Sequence, residues 1–412
     1  MSTTDSLNTD QTCLILGAGH AGSQLALQLR KEGWIGKIVL VGAEPQLPYH
    51  RPPLSKAVLA GDKTIENVLL RPRAMYDTNQ IELRIGEQAV EILREEKLLK
   101  LSTGELLTYD RLALCSGARV IRLPLGEHLK GVFYLRNAAD VLAIKTMLEP
   151  GKRAVIIGGG YIGLEAAAVL NTLGLQVTVL ERVDRVLQRV TSEPVSEFFT
   201  RLHQRNGVNI VCGAEVSAIS GAVNVESVQC ADGSRFDADI VIIGIGVVPE
   251  TALAEEAGLR IDNGILVNEF AQTSDPCIYA AGDCTSHPST LYQRQIRLES
   301  VQNANDQARI AAAGICGKPA SYDSVPWFWS DQYNTKLQSV GLSAGSDTVV
   351  LRGNPEDAAG NGFSVLYGRG GQLIAADCIN RPKDFLACKR LVQQKTRLDS
   401  SFSDEDKDLA SL

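Results

Sequence analysis

The chain lacks the features that would commit it to a membrane, a nucleic acid, a disulfide framework or a metal. Glycines, prolines or charges interrupt every apolar run, and none approaches the roughly 20 residues that cross a bilayer. Positive charge is in short supply. With 41 Lys and Arg against 48 Asp and Glu the net charge is -7 and the pI about 5.4, which excludes a broad nucleic-acid footprint and leaves room only for a local basic patch. The nine cysteines are odd in number and contain no Cys-x-x-Cys pair. That usage fits reduced thiols in a cytoplasm better than a disulfide framework or a zinc site. Cys277 and Cys284, the nearest pair in sequence, read as core thiols. Residues Met1 to Gln11 are polar, carry Asp5 and Asp10, and have neither a basic region nor an apolar stretch. They read as a frayed tail and not as a signal peptide.

What the chain does have is glycine in a particular place. The run Cys13-Leu-Ile-Leu-Gly17-Ala-Gly19-His-Ala21-Gly22 is an apolar strand entering a Gly-x-Gly-x-x-Gly turn, followed by a helical pattern from Gln24 to Arg30. Gly17 permits a tight turn, Gly19 lets backbone N–H groups approach a pyrophosphate, and Gly22 lets the helix pack on its strand. The helix N-terminus adds partial positive charge. A second strand, Ile38 to Val41, runs toward Glu44, about where a carboxylate accepts hydrogen bonds from a ribose. One such match is also compatible with an ordinary glycine turn. The chain, however, repeats the device. Ala154 to Ile157 enters Gly158-Gly-Gly160-Tyr161-Ile162-Gly163, a helix runs from Leu164 to Leu173, and a strand from Val177 to Leu180 ends at Glu181. Two complete units in one chain predict two bound dinucleotides.

The rest of the chain is read around these cradles. Pro48, Pro52 and Pro53 force a rigid loop before a short helix near Leu54, with Lys56 at its end. Strands and turns cover Ile81 to Leu93 and Leu98 to Leu101, and Arg111 to Cys115 closes a first unit. An amphipathic helix is expected over Val186 to Asn206, and a hairpin at Asp232-Gly233. Asp239 to Val248 forms a strand broken by Gly244 and Gly246. A strand from Ile278 ends in Gly282-Asp283, where a carboxylate faces the ligand crevice or caps a turn. A long helix opens at Glu299-Ser-Val301 and carries Arg309. After Val325 an antiparallel, strand-rich region begins at Pro326-Trp-Phe-Trp329, followed by a helix from Lys383 to Gln394 and an acidic tail, Asp404 to Asp408, expected to be flexible. The expected fold class is α/β: two Rossmann-like dinucleotide-binding domains plus a C-terminal α+β domain with an antiparallel sheet. The expected boundaries are 1–117 with 246–324 for the first, 118–245 for the second and 325–412 for the third. Two dinucleotide sites without a metal cluster suggest a held FAD, a nicotinamide nucleotide, and hydride passing between them.

Several runs in combination carry a resemblance: Arg51-Pro-Pro-Leu-Ser-Lys56, Gly158-Gly-Gly-Tyr-Ile-Gly-Leu-Glu165, Tyr279-Ala-Ala-Gly-Asp283, Arg297-Leu-Glu-Ser-Val-Gln-Asn-Ala304 and Pro326-Trp-Phe-Trp-Ser-Asp-Gln332. The chain closely resembles the FAD-dependent NADH:ferredoxin reductases of bacterial oxygenase systems, which share the glutathione reductase fold. The likeness covers all but the two tails. It implies that Lys56 lies beside flavin N5, that Glu165 lies near that lysine and orients the nicotinamide carboxamide, and that Asp283 binds the ribityl chain. It also implies that Ala21 and Glu44 bind the adenosine side, that Ala89, Arg136 and Val301 make further FAD contacts, and that Arg51, Gly246, Gly282 and Glu299 line the cofactor sites. Trp329 matches a tryptophan near the exposed flavin edge, on the electron's way out, and also fits as a core aromatic. Two departures stand out: Ala43 replaces an acid common in the family, and Cys115-Ser-Gly117 replaces Ala-Thr-Gly. No cysteine stands in the Pro-Pro-Leu-Ser-Lys loop, which disfavours disulfide or peroxide reduction.

The resemblance implies that electrons from NADH pass through FAD singly to an acidic 2Fe-2S ferredoxin serving a ring-hydroxylating dioxygenase or a P-450-type monooxygenase. Glu181 favours NADH by repelling a 2′-phosphate, while Arg182 and Arg185 work against that preference. Docking an acidic partner needs positive charge, for which Arg309, Lys336, Lys383, Lys389 and Arg390 are candidates. The expected protein is cytoplasmic, a monomer or weak homodimer, with no membrane or nucleic-acid partner. Two alternatives are kept: reduction of a rubredoxin or small acceptor, and an NADH-sensing flavoprotein resembling apoptosis-inducing factor.

Overall fold

The computed structural model describes residues 9–356 and 362–412. They form two units, one of residues 9–50, 65–119 and 248–324, the other of residues 51–64, 120–247, 325–356 and 362–412.

In the first unit the strand Thr12–Leu16 is flanked in parallel by Lys37–Gly42 and Arg111–Leu114. The sheet ends in Ile278–Ala280 on one side and Ile81–Ile85 on the other. These strands read as near-continuous apolar runs because both faces are covered. On one face, Ile15, Leu40 and Ala113 pack with Leu25 and Leu29 of the helix His20–Glu32 and with Ala308 and Ala311 of the helix Val301–Ile315. On the other, Leu14, Val39 and Leu112 pack with Ala89, Ile92 and Leu99 from a three-stranded antiparallel layer. Cys284 is fully buried, as expected of a core thiol, whereas Cys277 is only half-buried because it lies just outside the strand Ile278–Ala280.

The second unit repeats the plan. Arg153–Ile157 lies in parallel between Gln176–Glu181 and Ile240–Ile243, and Asn209–Cys212 and Val132–Tyr134 complete five strands. In both sheets the strand feeding the glycine turn is bounded on one side by the next strand of its unit and on the other by a much later one. That reversal marks the ligand crevice of a doubly wound sheet.

The same unit contains a five-stranded antiparallel sheet, in order Trp327–Gln332, Thr335–Gly341, Gln372–Ile379, Phe363–Arg369 and Thr348–Gly353. The helix Pro382–Gln393 packs Leu391 and Val392 inward.

Three expectations need correction. The helix expected over Val186 to Asn206 occupies only Glu193–Arg205. Leu187 takes a left-handed φ of 56° and Pro194 sets the first turn, so the apolar Val186 and Leu187 are core residues of a loop. A helix at Ala138–Lys145 was not anticipated, although Asn137 and Asp140 form a capping box at its start. The acidic tail is folded where flexibility was expected. Phe402 and Leu409 are buried, and the buried Arg352 guanidinium donates to the carbonyls of Phe402, Asp404, Glu405 and Lys407.

Candidate active site

Both cradles are built by the same backbone geometry. Gly17 and Gly158 have φ of +108° and +111°, and a Cβ on either would lie 2.1 Å from the carbonyl oxygen of Cys115 or 2.4 Å from that of Gly244. Only glycine fits there. At Gly22 and Gly163 an added Cβ would meet the carbonyl oxygens of Gly17 at 1.9 Å and Gly158 at 2.1 Å. The helix therefore starts in contact with its own turn.

The middle glycines behave differently. A Cβ on Gly19 or Gly160 would meet nothing within 4 Å, so the backbone is open on that side. Each is the N-cap of its helix, neither helix has a side-chain cap, and neither carries an acid in its first turn. A helix N-terminus with no side-chain cap and no acid in its first turn suits an anionic pyrophosphate, and the residues present fit two dinucleotides.

In the first unit Ala21 lies in the first turn of the helix His20–Glu32, and Gly282 lies against it, since a Cβ on Gly282 would be 3.2 Å from the Ala21 methyl. The backbone N–H of Gly282 donates to Gln307 at 2.8 Å, which holds the turn carrying half-buried Asp283. Glu44 accepts a short hydrogen bond from Tyr49. Ala89 is buried in the sheet's underlying core. Val301 starts a helix capped by Ser300, and Glu299 is exposed with an ion pair to Arg297.

In the second unit Glu181 is fastened to the cradle: its Oε2 accepts from Gly159 N–H at 2.6 Å and its Oε1 from Val183 N–H at 3.1 Å. Arg185 donates to the carbonyls of Thr191 and Gln188 at 3.0 and 3.4 Å. Tyr161 packs on Phe328 with ring centroids 4.6 Å apart, and Ile162 is exposed beside it. Arg51 donates to the Arg136 carbonyl at 2.9 Å, and Gly246 faces the Arg189 guanidinium, 3.5 Å from the position of an added Cβ.

Glu165 gathers three side-chain partners in this unit. It lies on the helix Tyr161–Thr172 that leaves the second cradle, and it is 2% exposed. Lys56 Nζ donates to its Oε2 at 2.5 Å, Ser55 Oγ to the same oxygen at 2.6 Å, and Ser330 Oγ to Oε1 at 2.7 Å. A buried carboxylate is tolerated only when paired and hydrogen-bonded. Here one cation and two hydroxyls meet that condition. Pro52 and Pro53 set the turn Pro52–Ser55, and the Pro52 carbonyl accepts a second hydrogen bond from Lys56 at 3.2 Å. The structure thus brings Lys56 and Glu165 together.

Trp329 lies apart from that pair. Strand alternation turns Ser330 toward Glu165 and Trp329 to the opposite face, beside Trp327 at 5.7 Å between ring centroids. Of the basic candidates, Arg309 pairs with Asp306 and Lys336 with Asp331, Lys389 lies over the Trp327 ring, and Arg390 donates to the Leu409 and Ala410 carbonyls. Lys383 is exposed. Sequence reasoning passed over Ser55 and Ser330. Their signals were slight: a serine preceding the lysine, and a buried polar residue two positions after Phe328 in an aromatic strand.

Two glycine cradles and a buried lysine–glutamate pair fit an oxidoreductase of the two-dinucleotide class. Residues 11–308 match the pyridine nucleotide-disulphide oxidoreductase family, and residues 327–412 match the reductase C-terminal domain. The chain belongs to that family and is a flavoprotein working with FAD and NAD(H). It is 45% identical over 405 residues to the ferredoxin reductase subunit of 5,5′-dehydrodivanillate O-demethylase from a Sphingobium species, covering 97% of this chain and 98% of that one. It is 44% identical to putidaredoxin reductase from Pseudomonas putida, over 94% of this chain and 93% of that one. The crystal structure of the covalent putidaredoxin reductase–putidaredoxin complex superimposes with a TM-score of 0.94 at 43% identity, covering 98% of each chain.

Proposed function

We propose that the protein is the ferredoxin reductase component of a multicomponent oxygenase, taking a hydride from NADH and delivering electrons one at a time to an acidic 2Fe-2S ferredoxin. The observation that supports this most directly is buried Glu165, on the helix leading from the second nucleotide cradle, paired with Lys56 from the Pro52–Ser55 turn. Relatives along most of the chain are named as ferredoxin reductases, among them components of a demethylase and of an anthranilate 1,2-dioxygenase system. When bound, FAD converts a two-electron donor into a one-electron source.

The chain's own groups supply binding, orientation and charge. Residues 1–117 and 246–324 would hold FAD through Gly17, Gly19, Gly22, Glu44 and Asp283, and residues 118–245 would hold NADH through Gly158, Gly160, Gly163 and Glu181. Glu181, already oriented by Gly159 N–H, offers its carboxylate to ribose hydroxyls and repels a 2′-phosphate. Arg185 spends its guanidinium on loop carbonyls, which removes one of the two basic neighbours that work against NADH and leaves exposed Arg182 as the other. Lys56 holds positive charge at the reacting end, and Glu165 fixes that ammonium while orienting the carboxamide. Trp329 is proposed to lie on the electron's exit route. Nine free cysteines fit a cytoplasmic setting.

Lys56→Met and Glu165→Ala are expected to slow flavin reduction by NADH by about 100-fold in stopped-flow absorbance while FAD stays bound. Unchanged rates in both variants would remove the assigned roles.

A further inference from the structure

Glu165 is the end of a longer chain of side chains. Ser330 Oγ, which donates to Glu165 Oε1, accepts from Gln332 Nε2 at 3.2 Å, and Gln332 Oε1 lies 2.8 Å from His203 Nε2. Ser330, Gln332 and His203 are all at most 1% exposed. Ser330 and Gln332 share one face of the strand Trp327–Gln332, and His203 reaches them from the helix Glu193–Arg205, its ring 5.2 Å from that of Tyr333.

The direction of the chain follows from counting protons. His203 Nδ1 is buried without a partner, so a proton there would be an orphaned donor, which burial penalises. The proton therefore sits on Nε2 and is donated to Gln332 Oε1. That fixes the amide with its NH2 toward Ser330 Oγ. The serine, having accepted, gives its one proton to Glu165. If the histidine carried its proton on Nδ1, the amide would turn over and Ser330 would donate to Gln332 instead, leaving Glu165 Oε1 without a donor. Burial also holds the imidazole pKa below its ordinary value, so the ring stays neutral at pH 7. A glutamine in the middle cannot readily hand a proton onward, so the chain orients and does not conduct.

We propose that His203 and Gln332 are positioning residues for the reaction, acting through Ser330 to hold the Glu165 carboxylate with Oε2 turned to Lys56. The inference rests on the proposed role of Glu165 in hydride transfer.

The test uses the FAD-loaded protein and three variants. His203→Phe keeps a ring against Tyr333 and removes the donor, His203→Gln restores a donor at the place of Nε2, and Gln332→Leu cuts the chain one step nearer to Glu165. His203→Phe and Gln332→Leu are expected to slow flavin reduction at saturating NADH by about tenfold, the loss of one oriented hydrogen bond, with KM for NADH little changed. His203→Gln returns it to within about twofold. A second readout needs no turnover. Nitrogen-15 NMR of histidine-labelled protein, with the His203 signal assigned by its absence in His203→Phe, is expected to show a neutral ring protonated at Nε2. A wild-type protein that NADH does not reduce would refute the functional reading itself. A wild-type protein that is reduced, with His203→Phe equally fast, or with His203→Phe and His203→Gln equally slow, or with an Nδ1–H signal, would overturn the positioning role alone.

Discussion

His287 shows what burial does to a single group in this molecule. Its ring meets Tyr322 edge-on at 4.9 Å and is 2% exposed, and its Nδ1 has no partner. Desolvation lowers its pKa from 6.5 to about 4. The unfolded chain takes up this proton near pH 6.5, the native one only near pH 4, so the group's contribution is whole above pH 6.5 and is lost as pH falls through that window. At 1.36 kcal/mol per pH unit the loss is about 3 kcal/mol. Asp377 acts with the opposite sign, its pKa raised by burial, so its contribution is lost as pH rises and partly masks the histidine. Urea denaturation of wild type and His287→Phe in parallel isolates it: the variant should lose about 3 kcal/mol less between pH 6.5 and 4. Parallel curves would contradict this account. Little of this layer could be read from the sequence. Lys56 and Glu165 stood out through motifs, but Ser55, Ser330, Gln332 and His203 acquire their roles from contacts between positions up to 165 residues apart, which no local pattern encodes.

Elements were legible where their signals are local. Both cradles could be read because glycine is required at fixed offsets by clashes within a single turn, such as Gly163 against the Gly158 carbonyl. Gly163→Ala should force the helix off its strand, at a cost of about 1–3 kcal/mol, and abolish nucleotide binding at that cradle while FAD is retained. Titration with NAD+ and urea denaturation would show it, and normal affinity would refute it. The helix from Val186 was over-extended because apolar spacing alone does not reveal a left-handed Leu187. The tail was misjudged because composition is silent about Arg352, whose 4% exposed side chain ties down four carbonyls and Asp384. Arg352→Ala removes the donor those four carbonyls share, while Asp384 keeps Arg381 and Ser364, and about 3 kcal/mol of stability should go with it. Limited proteolysis should then cut between Phe402 and Lys407. A tail as resistant as wild type would show that Phe402 and Leu409 suffice to hold it.

At the scale of the whole molecule, two repeats of one nucleotide-binding plan and an antiparallel C-terminal sheet make a chain that relatives match over almost its full length. No helix among the described residues is long and apolar enough to cross a membrane. The fold class was accessible from sequence because each layer carries its own periodicity. The identity of the acceptor was not, since it depends on surface shape and on another chain. A net charge of -7 works against an acidic partner at long range, so the proposed association would have to draw on local basic side chains. The central claim is tested most directly by mixing the purified holoprotein anaerobically with NADH or NADPH, then following cytochrome c reduction with and without a 2Fe-2S ferredoxin. The account predicts rapid flavin bleaching by NADH, much slower bleaching by NADPH, and a large ferredoxin-dependent increase in cytochrome c reduction. Slow bleaching by NADH with no effect of ferredoxin would contradict it.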